Sequence, residues 1–348
     1  MFSFLNFGNG FYFAGAFFAS FVLVMLFGRA FIPKLAAIQR RGQPIRSDGI
    51  TAHLEKSGTP TMGGLLFIPA IIIASLLFME LDSLVAWIPL LALASFGFVG
   101  FIDDLGKIRH GNSYSGLSKF GRLAAEGVIA VILSFLIDYT MPANVPELSI
   151  LLPFGIAISA GIFYFAWSYL VIAGTANAAN MSDGLDGMLA KIYLCVLGVM
   201  GVALFGVTRA GFLPSLIFLP EAGAMFPVIG ALFGAVLAFL WFNAKPASVF
   251  MGDVGSLALG GMLGAVSLLM KAEIIMAVAG LMMVVILLSS MIQSLYYKFV
   301  APRGHAPFLM APLHHHLERK GWSETKITDR FFILTVIFSG AAAALLRL

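Results

Sequence analysis

Residues 84–102 read LVAWIPLLALASFGFVGFI, nineteen positions without a charged side chain, and Asp103, Asp104, Leu105, Gly106 and Lys107 follow at once. A bilayer hydrocarbon core about 30 Å thick takes roughly 20 apolar residues as a helix. The run therefore reads as a membrane span, and its end carries two adjacent carboxylates with a lysine one helical turn further on.

The same pattern recurs on both sides of this run. Apolar stretches occupy 11–32, 62–79, 121–137 and 150–172 in the first half, and 188–206, 225–242, 254–270, 274–297 and 331–346 in the second. The chain of 348 residues is 60% hydrophobic and 11% charged, which excludes an ordinary water-soluble domain. The expectation is an all-α polytopic integral membrane protein with about ten transmembrane helices, residues 1–348 forming a single transmembrane catalytic domain. No Lys or Arg occurs before the first apolar run, so the amino terminus reads as a first helix and not as a signal peptide. The single cysteine, Cys195, falls inside a span and reads as a small buried hydrophobe.

The formal net charge is +4, and its distribution says more than its size. Numbering the nine connections between spans in order, eighteen of the 21 Lys and Arg residues fall on the odd-numbered ones. Only Arg209 and Lys271 lie on even connections, and Arg347 is at the carboxyl end. Basic loops stay cytoplasmic, so the odd connections are expected in the cytoplasm and both termini on the periplasmic side. All six histidines also lie on odd connections. The bilayer is the expected partner of the apolar surface, and no nucleic-acid partner is expected.

All five odd connections carry candidate chemistry. Asp103 and Asp104 repel one another unless a cation stands between them, a part that Lys107 or a metal can play. As a plain helix end they would be a poor choice, since acids there oppose the helix dipole. In the fifth connection, Asn177, Asn180, Asp183 and Asp186 lie within a glycine-rich polar stretch, 174–187, expected as irregular backbone around a cavity. Ser182 or Asp183 could serve there as a helix cap. The seventh connection, from Asn243 through Lys245 and Phe250 to Gly252-Asp253, leads into a span whose amino terminus suits a phosphate, with Asp253 equally readable as an N-cap.

The ninth connection holds His314, His315 and His316. Three consecutive histidines point in different directions on a helix, so they suit hydrogen bonds to phosphate or sugar oxygens better than one zinc site. In the first connection, Pro60 and the glycines of Met62-Gly63-Gly64 read mostly as a helix start with close backbone packing, and Lys56 and the hydroxyls of Thr59 and Thr61 could also contact an anionic ligand. Glu126, one turn from Arg122, reads as either a functional group or half of a local ion pair. Together the clusters match the needs of a magnesium-bound diphosphate at the membrane boundary.

Thr59-Pro60-Thr61-Met62-Gly63-Gly64, Asp103-Asp104, Asn180-Met181-Ser182-Asp183-Gly184-Leu185-Asp186-Gly187, Phe250-Met251-Gly252-Asp253-Val254-Gly255-Ser256 and Ala311-Pro312-Leu313-His314-His315-His316 together resemble the phospho-N-acetylmuramoyl-pentapeptide transferases. The resemblance runs nearly end to end. It implies transfer of phospho-MurNAc-pentapeptide from UDP-MurNAc-pentapeptide to undecaprenyl phosphate with Mg2+, giving lipid I and UMP, in the bacterial cytoplasmic (inner) membrane with the active site on its cytoplasmic face. It also implies a homodimer.

By the same resemblance Asp253 looks like the metal ligand and Asp103 and Asp104 like the acids that serve the lipid phosphate. Lys56, Asn180, Asp183, Asp186, Asn243 and Phe250 match positions around the nucleoside and diphosphate, Phe250 being suited to stacking on uracil. His314, His315 and His316 complete the site, and Thr61, Lys107 and Asn177 are further substrate-binding candidates. The chain departs from the family pattern where Ala176 replaces a common Ser and Ile286 a frequent Glu. Two rivals remain: a transferase using UDP-N-acetylglucosamine, against which the triple histidine argues, and a transporter, whose ionisable groups would line mid-membrane positions instead of loop ends.

Overall fold

The computed structural model describes residues 8–39, 58–111, 115–142, 145, 148–152, 156–209, 216–300 and 306–346. The chain is a polytopic all-α membrane protein. Its elements are α1 (Asn9–Ile38), α2 (Gly64–Phe78), α3 (Leu84–His110), α4 (Lys119–Tyr139), the hairpin β1 (Ser149–Leu152) and β2 (Ile156–Ser159), α5 (Phe163–Ser182), α6 (Met188–Val207), a 3-10 turn (Pro220–Met225), α7 (Phe226–Asn243), α8 (Gly252–Leu269), α9 (Glu273–Ala279), α10 (Leu281–Phe299), α11 (Leu313–Arg319) and α12 (Glu324–Leu345). Among the described residues, eight helices are long and apolar enough to cross a membrane: α1, α3, α4, α6, α7 with its leading turn, α8, α10 and α12. Helix α2 is apolar but shorter.

Four boundaries differ from the sequence reading. The stretch at 150–172 does not form one span: its first part pairs antiparallel as β1 and β2, Ile150 opposite Ile158, and the helix begins only at Phe163. That helix then continues to Ser182, so most of the polar stretch expected as irregular backbone is helical, and only the turn 183–187 is not. Helix α3 likewise runs past Ile102 to His110. In both places the buried polar side chains bond to neighbouring elements, which removes any need for the backbone to unwind. The segment 274–297 is divided at Gly280 into α9 and α10.

Helix α8 is the central post. Every one of its eighteen residues except Asp253 is buried. In a bilayer, helices associate by close van der Waals packing, and small residues let backbones meet. A Cβ on Gly64 would lie 2.5 Å from Gly255 N, and one on Gly260 the same distance from Ala176 Cα, so α2 and α5 are drawn against α8 backbone to backbone. On α3, a Cβ at Gly100 would come to 2.2 Å from Asp253 O. Helix α1 lies outside this group, packed on α7 with Gly230 and Gly234 against the Phe13 and Phe17 carbonyls.

The far end of α8 is closed by one buried ammonium. Lys271, 2% exposed, takes a positive φ of 52°, donates to Ser149 O at 2.8 Å and lies 4.6 Å from the centre of the Tyr164 ring. Burial draws this ammonium below the ordinary lysine range, against the opposing pull of Glu273 and Asp138. The contact ties the β1–β2 hairpin to the α8–α9 junction. Lys271→Met removes the hydrogen bond to Ser149 O and the cation contact with the Tyr164 ring, and a loss of about 1 to 3 kcal/mol follows. Thermal unfolding in detergent should show that loss while turnover per folded molecule is kept.

Candidate active site

Helix α8 rises about 1.5 Å per residue, so Asp253 and Lys271 lie about 27 Å apart, close to the thickness of a bilayer hydrocarbon core. The alternation of helix directions brings the carboxyl ends of α3, α5 and α7 to the Asp253 end, together with the amino ends of α8 and α12. Nearly every described candidate residue gathers there.

Asp103, Asp104 and Asp253 each place an oxygen within 4.8 Å of the others. Lys107 stands among them, its Nζ 2.5 Å from Asp103, 2.7 Å from Asp253 and 3.9 Å from Asp104. Asp103 Oδ1 also accepts the Leu117 N–H at 2.6 Å and Asp104 Oδ2 the Val254 N–H at 3.1 Å. Both are only 3% exposed, which makes them buried members of the site and not a solvated helix end. Asp253 lies in the first turn of α8 without capping it, since no side chain caps that helix. Its Oδ1 accepts from Asn180 Nδ2 at 2.7 Å, and the same amide reaches Ser256 Oγ at 3.0 Å.

The turn before α8 needs a glycine at 252. Its φ is +74°, and a Cβ there would strike Asp104 Oδ2 at 2.5 Å and the Met62 nitrogen at 2.9 Å. Backbone bonds lock the two loops together, Phe250 N to Pro60 O and Gly63 N to Phe250 O, both 2.8 Å. Thr61 is held through its backbone by Gln39, at 2.9 and 3.1 Å. Its hydroxyl is buried and has no hydrogen-bond partner among the described residues, which leaves it available to a ligand. Lys56 lies outside the described residues.

Three substrate-binding candidates are engaged in holding neighbouring elements. Asn243 accepts from Gly187 N at 3.1 Å and donates to Val249 O at 2.9 Å. Asp186 accepts the Ala247 N–H at 3.2 Å. Asn177 accepts from Arg122 at 2.9 Å and donates to Glu126 at 2.6 Å, so its amide positions a cation. Asp183, in the turn, accepts the Gly252 N–H, while burial and the carboxylates of Asp253 and Asp104 hold its carboxyl well above the usual range. The cap expected from Ser182 or Asp183 is absent: Ser182 Oγ donates back to Ala178 O, and Gly187 occupies the N-cap of α6.

The histidines do form a helix, α11, and they diverge on it. His314 is 1% exposed and packs on the α5–α6 turn, where a Cβ on Gly184 would meet its Nε2 at 2.2 Å. His315 contacts Glu318 at 2.7 Å. His316 Nδ1 accepts the Leu309 N–H at 3.0 Å, and burial, aided by Lys320, keeps its pKa below the usual histidine value. The sequence reading missed Arg122 as a site residue. Its guanidinium lies 3.7 Å from Asp253 and 3.5 Å from Glu126, which settles Glu126 as its ion-pair partner. The four-residue spacing of that pair was the available signal.

Carboxylates outnumber cations at this site, because Lys107 is divided among three acids and Arg122 is shared with Glu126. An all-oxygen donor set of this kind fits a hard divalent cation such as Mg2+.

The profile of Glycosyl transferase family 4 matches residues 86–271, and phospho-N-acetylmuramoyl-pentapeptide-transferase signature 1 matches residues 56–68. Phospho-N-acetylmuramoyl-pentapeptide-transferases of Ruegeria sp. (strain TM1040) and Dinoroseobacter shibae are 40% and 42% identical to this chain, over all of it and 95% of their own lengths. This chain belongs to that family. The Rickettsia felis phospho-N-acetylmuramoyl-pentapeptide-transferase, 39% identical, aligns over 94% of this chain and 90% of its own length. The family 4 match covers α3 to the end of α8 and so contains Asp103, Asp104, Lys107, Asn180 and Asp253, whereas α11 and α12 lie beyond it.

Proposed function

We propose that this membrane transferase moves phospho-MurNAc-pentapeptide from UDP-MurNAc-pentapeptide to undecaprenyl phosphate at the cytoplasmic face of the bacterial inner membrane. The observation that carries the reading is the convergence of Asp103, Asp104 and Asp253 on Lys107 at the end of the bundle. A lipid phosphate oxygen attacks the phosphorus that bears the sugar, the bond to UMP breaks, and lipid I keeps the new diphosphate. Mg2+, held by Asp253 with Asp103 or Asp104, would neutralise charge on the phosphoryl oxygens.

The chain's own residues account for the rest of the arrangement. Lys107 and Arg122 offer fixed positive charge to the diphosphate, and Asn180 holds the Asp253 carboxylate in one orientation. Asp103 and Asp104 keep an acceptor for the lipid phosphate proton at the depth where a lipid head group lies. Phe250 offers a ring to uracil, and Thr61 an unspent hydroxyl.

The test is UMP release by purified protein with Mg2+, undecaprenyl phosphate and either UDP-MurNAc-pentapeptide or UDP-N-acetylglucosamine. Release is expected with the muramoyl substrate alone, and none with it overturns the reading. Omitting undecaprenyl phosphate should abolish even a first turnover. One equivalent of UMP under that condition would replace direct attack by a covalent enzyme intermediate.

A further inference from the structure

Glu324 is the first residue of α12 and only 7% exposed, yet it is ionically and sterically committed to two other elements. Its Oε1 accepts the Asp186 N–H at 2.8 Å, in the α5–α6 turn, and its Oε2 lies 2.7 Å from Lys245 Nζ, in the α7–α8 loop. Those two loops are also bonded to one another by Asp186 Oδ2 to Ala247 N and by Asn243 Oδ1 to Gly187 N. A carboxylate taken this far out of water costs free energy unless charge and hydrogen bonds compensate it, and here one partner comes from each loop.

We infer that Glu324 is a positioning residue that sets the spacing between the 183–187 turn and the 245–250 loop, and thereby the fit of the nucleotide half of the UDP-sugar. The inference rests on the function proposed above. The turn carries Asp183 and Asp186 and the loop ends at Phe250, so a relaxed strap moves the nucleotide groups relative to one another. The metal-site acids have their own bonds, besides the one in which Asp183 of the turn accepts the Gly252 N–H. Asp104 is bonded to Val254 N, Asp253 to Asn180 and Asp103 to Leu117 N, none of which involves α12. The lipid phosphate and the chemical step should therefore be insensitive to Glu324.

Initial rates of UMP release from Glu324→Ala and Glu324→Gln protein, with each substrate varied in turn, test this. The alanine variant should raise KM for UDP-MurNAc-pentapeptide about tenfold, with kcat and the KM for undecaprenyl phosphate within about twofold of wild type. The glutamine variant keeps an acceptor for Asp186 N–H and should recover part of that loss. Lys245→Met removes the same ion pair from its half-exposed partner and should raise the same KM, with the unfolding midpoint read on the same sample because Glu324 is left buried without its cation.

Equal loss in kcat, an equal rise in the lipid KM, or no change in any of the three variants overturns the inference. Wild-type turnover tests the function separately. Calorimetric titration of UDP-MurNAc-pentapeptide into wild type and Glu324→Ala, without the lipid, reads the positioning role even where turnover fails: matched affinities sink it.

Discussion

Asp253→Asn should abolish turnover, lowering kcat by at least about a thousandfold at saturating Mg2+. The substitution preserves shape and keeps an oxygen to accept from Asn180 Nδ2, 2.7 Å away in the native protein. It removes the negative charge that Lys107 meets at 2.7 Å and Arg122 at 3.7 Å. Two cations then face a neutral amide, and the oxygen set loses the member that joins α8 to the acids of α3. Rates across a Mg2+ titration and an unfolding midpoint on the same sample separate loss of chemistry from loss of fold. Near-normal activity at high Mg2+ would take Asp253 out of the metal site.

Gly100→Ala is expected to be nearly as damaging, although residue 100 touches no substrate. A Cβ there would come to 2.2 Å from Asp253 O and 2.4 Å from its carbonyl carbon, both backbone atoms that cannot swing aside. One methyl group must therefore push α3 away from α8. Asp103 and Asp104 lie on the first of these helices and Asp253 on the second, so the carboxylates separate along with the backbones. Overpacking of a tight contact costs about 1 to 3 kcal/mol, and a shift of about 1 Å in a catalytic constellation can cost a hundredfold in rate. UMP release down about a hundredfold, with the protein still folded and inserted, is the expected result. Wild-type activity would mean that the α3–α8 spacing does not govern the site.

The acids were legible because chemistry of this kind is rare at the end of an apolar run. Asp103-Asp104, Asp253 and Asn180 stand beside spans in which charged groups are otherwise expensive, and the structure brings all four to one place. Arg122 was legible only as part of a basic connection and as a local partner for Glu126, not as a neighbour of Asp253. Its approach to Asp253 depends on Asn177 and Glu126, whose bonds cross from α4 to α5. Asn243 and Asp186 matched nucleotide positions, but their bonds show that they also shape the loops that would receive it. Loop geometry of this sort leaves no period in a sequence.

Hydrophobic length and the placement of Lys and Arg, both local properties of the chain, were enough to determine a helical membrane protein with its reactive groups at one end. They could not place the hairpin at 149–159, because β-branched apolar residues read alike in a span and in a strand. Nor could they extend α5 to Ser182, since that depends on polar side chains finding partners on other helices. The pairing of Asp253 with Lys107, 146 residues apart in sequence, was decided only by tertiary structure. It exists because Gly100 lets two backbones meet where carboxylates would otherwise hold them apart.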